Sequence, residues 1–194
     1  MSNGDAKPCP WNQIHSLRAL RAGPLSNRKG HYRAVPPRLY IETTIPSYLV
    51  ARRSRDLRLS AHQEVTGEWW TTRRHEYELY ISDFVLDEAG EGDPSFAAAR
   101  LSALEGIPSL EVTEDVDELA ARFLDAGLMP TRAAQDAFHI AISAVHGIDF
   151  LLTWNCKHIN NVNIIRRLES ICAQNGFACP VICSPDEMVP SSDP

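Results

Sequence analysis

The stretch RLYIETTIPSYL, residues 38–49, ends a short apolar run in an acid. Leu39, Tyr40 and Ile41 leave neither face of a strand polar, the pattern of a strand covered on both sides in a parallel sheet. Glu42 follows at once, then Thr43, Thr44 and, after Ile45, a proline. A carboxylate buried there without a partner costs several kcal/mol. Something elsewhere in the chain must compensate it.

Outward from this stretch, strand and helix patterns alternate. Ser47–Arg53 and Leu57–Tyr77 read as helices, the second anchored by Leu59, Val65, Trp69 and Trp70. ELYIS (78–82) is a second strand, followed by a helical turn in FVLDEAGEG that stops at Gly90 and Gly92. Asp93-Pro94 is a helix start, an N-cap with proline at the first position. SLEVT (109–113) is a third strand. EDVDELAARFLDAG sets Val116, Leu119, Ala120, Phe123 and Leu124 on one face, and Gly127 ends it. Thr131 caps RAAQDAFHIAISAVHG, whose Phe138, Ile142 and Val145 form a core-facing stripe. FLLTWN (150–155) is a fourth strand, VNIIRRLESICAQNG a helix and ACPVICS a fifth strand. The alternation predicts an α/β fold: a central parallel sheet of about five strands, flanked by helices, over residues 38–190.

At 194 residues and 44% hydrophobic, the chain suits one well-packed domain. No run is long and apolar enough for a bilayer and none resembles a signal peptide, which predicts a cytoplasmic protein without a membrane partner. Five scattered cysteines without C-x-x-C spacing argue against a disulfide framework or structural zinc. Cys179 and Cys183 read as small buried hydrophobes. The net charge of −6 is uneven: residues 1–38 sum to +6 and the remainder to −12. An acidic body binds nucleic acid poorly unless a local basic or metal-bearing site works against its field. Residues 1–37 lack an apolar period and read as a basic, disordered N-terminal extension. A nucleic-acid arm, a targeting segment, and a start codon placed upstream of a true initiator at Val35 are three accounts of it.

In such a sheet, functional groups gather at the carboxyl ends of the strands, near the topological switch point. The first strand delivers Glu42 there, the second leads to Asp83, Asp87 and Glu88, and the fourth ends in Asn155. Asp136, in the second turn of the preceding helix, faces the same edge. Acids that converge repel unless a divalent cation sits between them, and hard oxygen donors suit Mg²⁺ or Mn²⁺.

The stretches LYIETTIPS, YELYISDFVLDEAGEGD, DAFHIAISAVHGIDFLLTWNCKHINN and VICSPDEM resemble a PIN domain, in the branch of toxin ribonucleases of type II toxin–antitoxin pairs. The resemblance runs from Arg38 to Val189. It implies a parallel α/β fold and metal-dependent hydrolysis of RNA, with a cognate antitoxin and a homodimer as partners. It assigns Glu42, Glu88 and Asp136 as metal-binding acids and puts Asn155 at the fourth catalytic position. The commoner PIN pattern has Asp at the first and last of these positions, and the loss of charge at Asn155 bears on a second metal. Thr43, Thr44, Ser47 and Thr153 would support the ligands by hydrogen bonds.

Each assignment has an ordinary rival. Asp136 could complement the helix dipole, Glu42 could pair with Arg38, and Asn155 could be a turn residue. Asp83 and Asp87 compete with Glu88. His139 and His158 read as structural histidines. Lys157, Arg166 and Arg167, with Asn160, Asn161 and Asn163, form either a phosphate-holding rim or a solvated face. Trp69 and Trp70 could stack on bases or fill the core. A non-catalytic PIN-like module binding RNA or a partner protein is the alternative to the nuclease.

Overall fold

Leu39, Tyr40 and Ile41 are completely buried, at the centre of a sheet. In the computed structural model, which describes residues 35–189, the strands are β1 (Arg38–Ile41), β2 (Glu78–Ser82), β3 (Ser109–Leu110), β4 (Phe150–Leu152) and β5 (Val181–Cys183). They form one five-stranded sheet of order β3-β2-β1-β4-β5 with every pairing parallel. All but the last three residues of the basic extension, 35–37, lie outside the described residues, and so do Cys9 and the disorder expected of the segment.

Helices make every crossover: α1 (Thr44–Val50) and α2 (Leu57–Thr72) link β1 to β2, and α3 (Asp83–Gly90) and α4 (Pro94–Leu104) link β2 to β3. Next, α5 (Glu114–Asp125) and α6 (Ala134–Val145) lead to β4, α7 (Val162–Gln174) leads to β5, and α8 (Pro185–Met188) follows it. The expected α/β architecture is therefore present, with helices flanking an all-parallel sheet. No helix among the described residues is long and apolar enough to cross a membrane.

Several element ends differ from expectation, each for a local reason. α1 begins three residues early because Pro46 falls in its first turn, where a missing N–H costs nothing. α2 stops at Thr72, and a 3₁₀ turn at Arg74–Glu76 takes the chain to β2. Of its expected anchors only Trp69 is fully buried; Leu59 is 41% exposed, and Trp70 is half-buried under the Arg74 guanidinium, 4.8 Å from the ring centre. β3 is an edge strand of two residues rather than five. β4 ends at Leu152 because Thr153 and Asn155 are drawn into side-chain bonds at the site. Thr131 opens a 3₁₀ turn and does not cap α6, which starts at Ala134 without a side-chain cap. That helix is buried nearly all round, from His139 through Ala144, so the expected single stripe is absent. Asp93 does cap α4, accepting from Ser95 N (2.9 Å) and Phe96 N (3.3 Å).

The order 3-2-1-4-5 places the reversal of winding between β1 and β4. Their carboxyl ends border the crevice where ligands bind in open α/β sheets.

Candidate metal centre

Register carries the first acid to that crevice. Tyr40 pairs with Tyr80 and Ile41 with Leu152, and Glu42 N–H extends the ladder to Leu152 O at 3.1 Å. Glu42 thus stands level with Ser82 on one side and Thr153 on the other, and is only 4% exposed. Its Oε2 accepts from Thr44 N (3.1 Å), the Thr44 hydroxyl and Thr153 Oγ1 (2.7 Å). Bonds to an ionised acceptor are the strong ones, so this cradle offsets part of the burial cost. Each hydroxyl also accepts a main-chain donor, Trp154 N on Thr44 and Asn155 N on Thr153, both at 2.8 Å. The end of β1 is thereby tied to the turn after β4. None of these bonds falls on Glu42 Oε1.

The Arg38 partner considered for Glu42 is not formed. Four strand residues span roughly 13 Å, and the Arg38 guanidinium donates to the His146 and Gly147 carbonyls and lies over the Tyr80 ring.

Among the acids after β2, helical phase selects Glu88. It sits one turn beyond Phe84, whose ring meets Phe138 and His139 of α6. Asp83 and Asp87 are exposed, and Asp83 accepts from Ser109 Oγ at 2.9 Å. Glu88 Oε2 accepts from the Thr43 hydroxyl and lies 3.4 Å from His139 Nε2.

α6 contributes Asp136 and His139, three residues apart and so on one face. His139 is fully buried. Its Nδ1 is 2.8 Å from Tyr40 Oη, itself 2.6 Å from Ser82 Oγ, while Nε2 is buried and makes no hydrogen bond. Asp136 is half-buried, and its Oδ1 accepts from Asn155 Nδ2 at 2.9 Å. The amide oxygen of Asn155 accepts from His158 N at 3.1 Å. In this arrangement Asn155 turns its nitrogen, not its oxygen, toward the acids.

The charges respond to this crowding. Burial pushes the Asp136 carboxyl above its ordinary value; Glu42 and Glu88 add to that rise, while His139 and His158 oppose it. For Glu88 burial acts upward, but the His139 ring and the Thr43 hydroxyl outweigh it and hold the group low. Burial acts downward on His139, yet Glu88, Glu42 and Asp136 together lift it above the usual imidazole value.

Glu42, Glu88 and His139 each offer a ligand atom, mutually within 4.8 Å, and this group could hold a metal ion. Asp136 and Asn155 flank the group without belonging to it. Of the supporting hydroxyls, those of Thr43, Thr44 and Thr153 touch the acids, whereas no hydrogen bond joins Ser47 to them. His139, which the sequence analysis read as a structural histidine, is the member of this group outside the expected acids; its spacing from Asp136 was the available signal. In the expected rim, Arg167 donates to Ala126 O (2.7 Å) and Asn161 caps α7 through Asn163 N (3.0 Å), leaving Lys157 and Arg166 exposed.

Compared with protein-family models, with curated proteins and with solved structures, the chain matches none.

Proposed function

We propose that this chain is a metal-dependent endoribonuclease of the PIN kind, using Mg²⁺ or Mn²⁺ and acting as the toxin of a type II toxin–antitoxin pair. The observation that supports it most is the gathering of Glu42 and Glu88, from separate elements, around His139 Nε2, which is buried and makes no hydrogen bond, at the switch point, with Asp136 on the same helix face as the ring. Buried nitrogens without a hydrogen bond occur elsewhere among the described residues, but His139 Nε2 is the one that lies among the carboxylate oxygens of Glu42 and Glu88. The donor set of carboxylates and one imidazole fits a divalent ion.

Glu42 and Glu88 would hold the ion, with Asp136 beside them and its Oδ1 on Asn155. Thr44 and Thr153 hold Glu42 by Oε2, which would leave its other oxygen for the cation. When bound, the ion supplies Lewis acidity, acidifying water and offsetting charge on a phosphodiester. Hydrolysis leaves a 5′-phosphate and a 3′-hydroxyl. Lys157 and Arg166 are the cations placed to hold flanking phosphates, and the cognate antitoxin covers the acidic crevice.

The test is cleavage of a total-RNA or tRNA pool with Mn²⁺, Mg²⁺ or EDTA, comparing wild type with Asp136→Asn. Metal-dependent cleavage lost in a folded variant is expected; wild-type rates in the variant would remove Asp136 from the site. One observation favours the non-catalytic reading: Asn155 quiets Asp136 by a hydrogen bond that needs no ion. That reading predicts a well-folded chain with no affinity for Mn²⁺.

A further inference from the structure

We propose that His139 binds the cation through Nε2, that Tyr40 and Ser82 act as positioning residues for its ring, and that this nitrogen makes the site select Mn²⁺ over Mg²⁺. The inference rests on reading the crevice as a metal centre, and it deepens that reading by assigning a ligand that no acid pattern contains.

Proton placement carries the argument. Tyr40 Oη lies between His139 Nδ1 (2.8 Å) and Ser82 Oγ (2.6 Å), and all three side chains are buried. Two arrangements satisfy these contacts. In one, Ser82 donates to Tyr40, Tyr40 donates to Nδ1, and the ring proton sits on Nε2. That proton then points into the crevice without a hydrogen bond, because Glu88 Oε2 at 3.4 Å is outside good geometry. In the other, Nδ1–H donates to Tyr40, Tyr40 donates to Ser82, and Nε2 presents a bare lone pair. Each leaves one buried proton without an acceptor, the ring N–H in the first and the Ser82 hydroxyl in the second; the second turns an electron pair toward Glu42 and Glu88, the arrangement that a cation at Nε2 would select. Metal-bound histidines are held in this manner, with the second ring nitrogen donating to an oxygen behind it.

The consequence is selectivity. Mg²⁺ takes oxygen ligands almost exclusively, whereas imidazole suits Mn²⁺ and later first-row ions. An all-carboxylate site would give a smaller bias and no nitrogen coupling. The three ligand atoms, within 4.8 Å of one another, need only small side-chain movements to close on an ion at about 2.0–2.2 Å.

The experiment uses the full chain with Mn²⁺ or Mg²⁺ alone as probe. Calorimetry should give Mn²⁺ binding at least about tenfold tighter than Mg²⁺, and pulsed EPR of the Mn²⁺ form should show a directly coordinated nitrogen. His139→Gln should abolish the nitrogen coupling. Tyr40→Phe keeps the ring while removing its oxygen partner, and should retain the coupling with Mn²⁺ affinity lowered by about 10–100-fold. A purely structural Tyr40 would lower stability and leave affinity alone. Bound Mn²⁺ without nitrogen coupling, or equal affinity for the two ions, overturns the proposal. RNA cleavage persisting in that case leaves the nuclease reading intact; failure to bind either ion overturns both.

Discussion

Asn155→Asp tests the direction of one amide. Its nitrogen donates to Asp136 Oδ1 at 2.9 Å while its oxygen accepts from His158 N at 3.1 Å. Aspartate keeps the second bond and inverts the first, so the effect reports the Asp136 end alone. A hydrogen bond to a charged acceptor is worth about 1.5–3 kcal/mol. Two carboxylate charges 2.9 Å apart repel by about 6 kcal/mol at an effective dielectric constant of 20. Protonation limits that repulsion: sharing one proton at pH 7 costs about 1.4 kcal/mol per pH unit over the roughly three units down to an ordinary carboxyl, about 4 kcal/mol.

With partial exposure and relaxation, metal-free Asn155→Asp should lose about 2–4 kcal/mol at pH 7. A chain of this size then melts about 5–15 °C lower in EDTA. The deficit should shrink toward pH 5, where the pair takes up its proton readily. A divalent ion removes the repulsion, so Mn²⁺ should bind the variant about 30-fold to several-hundred-fold more tightly. Urea and thermal denaturation with and without Mn²⁺, together with calorimetry, read all three effects. A variant as stable as wild type in EDTA at pH 7, or a deficit unchanged by pH, would refute the contact with Asp136.

Metal affinity should rise with pH between about 5.5 and 7.5, because His139 and Asp136 are both held above their ordinary values and must shed protons to ligate. Titration should release protons, seen as heats that depend on the buffer's ionisation enthalpy; a flat pH profile would refute it. Without metal, the raised His139 value gives stability that is full below the usual imidazole pKa and is lost as pH rises through the folded one, and Asp136 acts in the same direction. Urea denaturation in EDTA should therefore show stability falling from pH 5.5 to 7.5, and a rise would refute the sign. Trp69→Ala should cost about 3–5 kcal/mol by urea denaturation and Leu59→Ala less than about 0.5, since one ring is fully buried and the other side chain 41% exposed; equal costs would refute this.

The sheet was legible because each buried parallel strand writes an unbroken apolar run. ELYIS coincides with β2 residue for residue. The end of β4 was misjudged because Thr153 and Asn155 enter tertiary bonds that local pattern does not encode. Glu42 stood out because an acid in an apolar run lacks a local reason to be there. Only the resemblance set Glu88 apart from Asp83 and Asp87; its one-turn offset from Phe84, a matter of helical phase, is the physical reason that the structure supplies. His139 read as a structural histidine because a ring nitrogen without a hydrogen bond is a property of what surrounds it, not of local sequence. The direction of the Asn155 amide depends on Asp136, nineteen positions earlier, and carries no local signature.

Burial of Glu42 has a further implication. The carboxylate's hydrogen bonds to the protein gather on Oε2. Glu88 and Asp136 stand nearby, so three carboxylates face one imidazole and leave an excess of negative charge in either state of the ring. Replacing such a cluster by apolar residues is often neutral or stabilising, and under the proposed function a charge that arrives from outside accounts for it. One divalent ion offsets most of the excess. A fourth carboxylate at position 155 would demand more, and the amide there donates a proton to Asp136 instead. The charge balance therefore suits a single ion per chain. Calorimetric titration with Mn²⁺ should saturate at one equivalent, and a second tight equivalent would mean that Asn155 turns its oxygen inward.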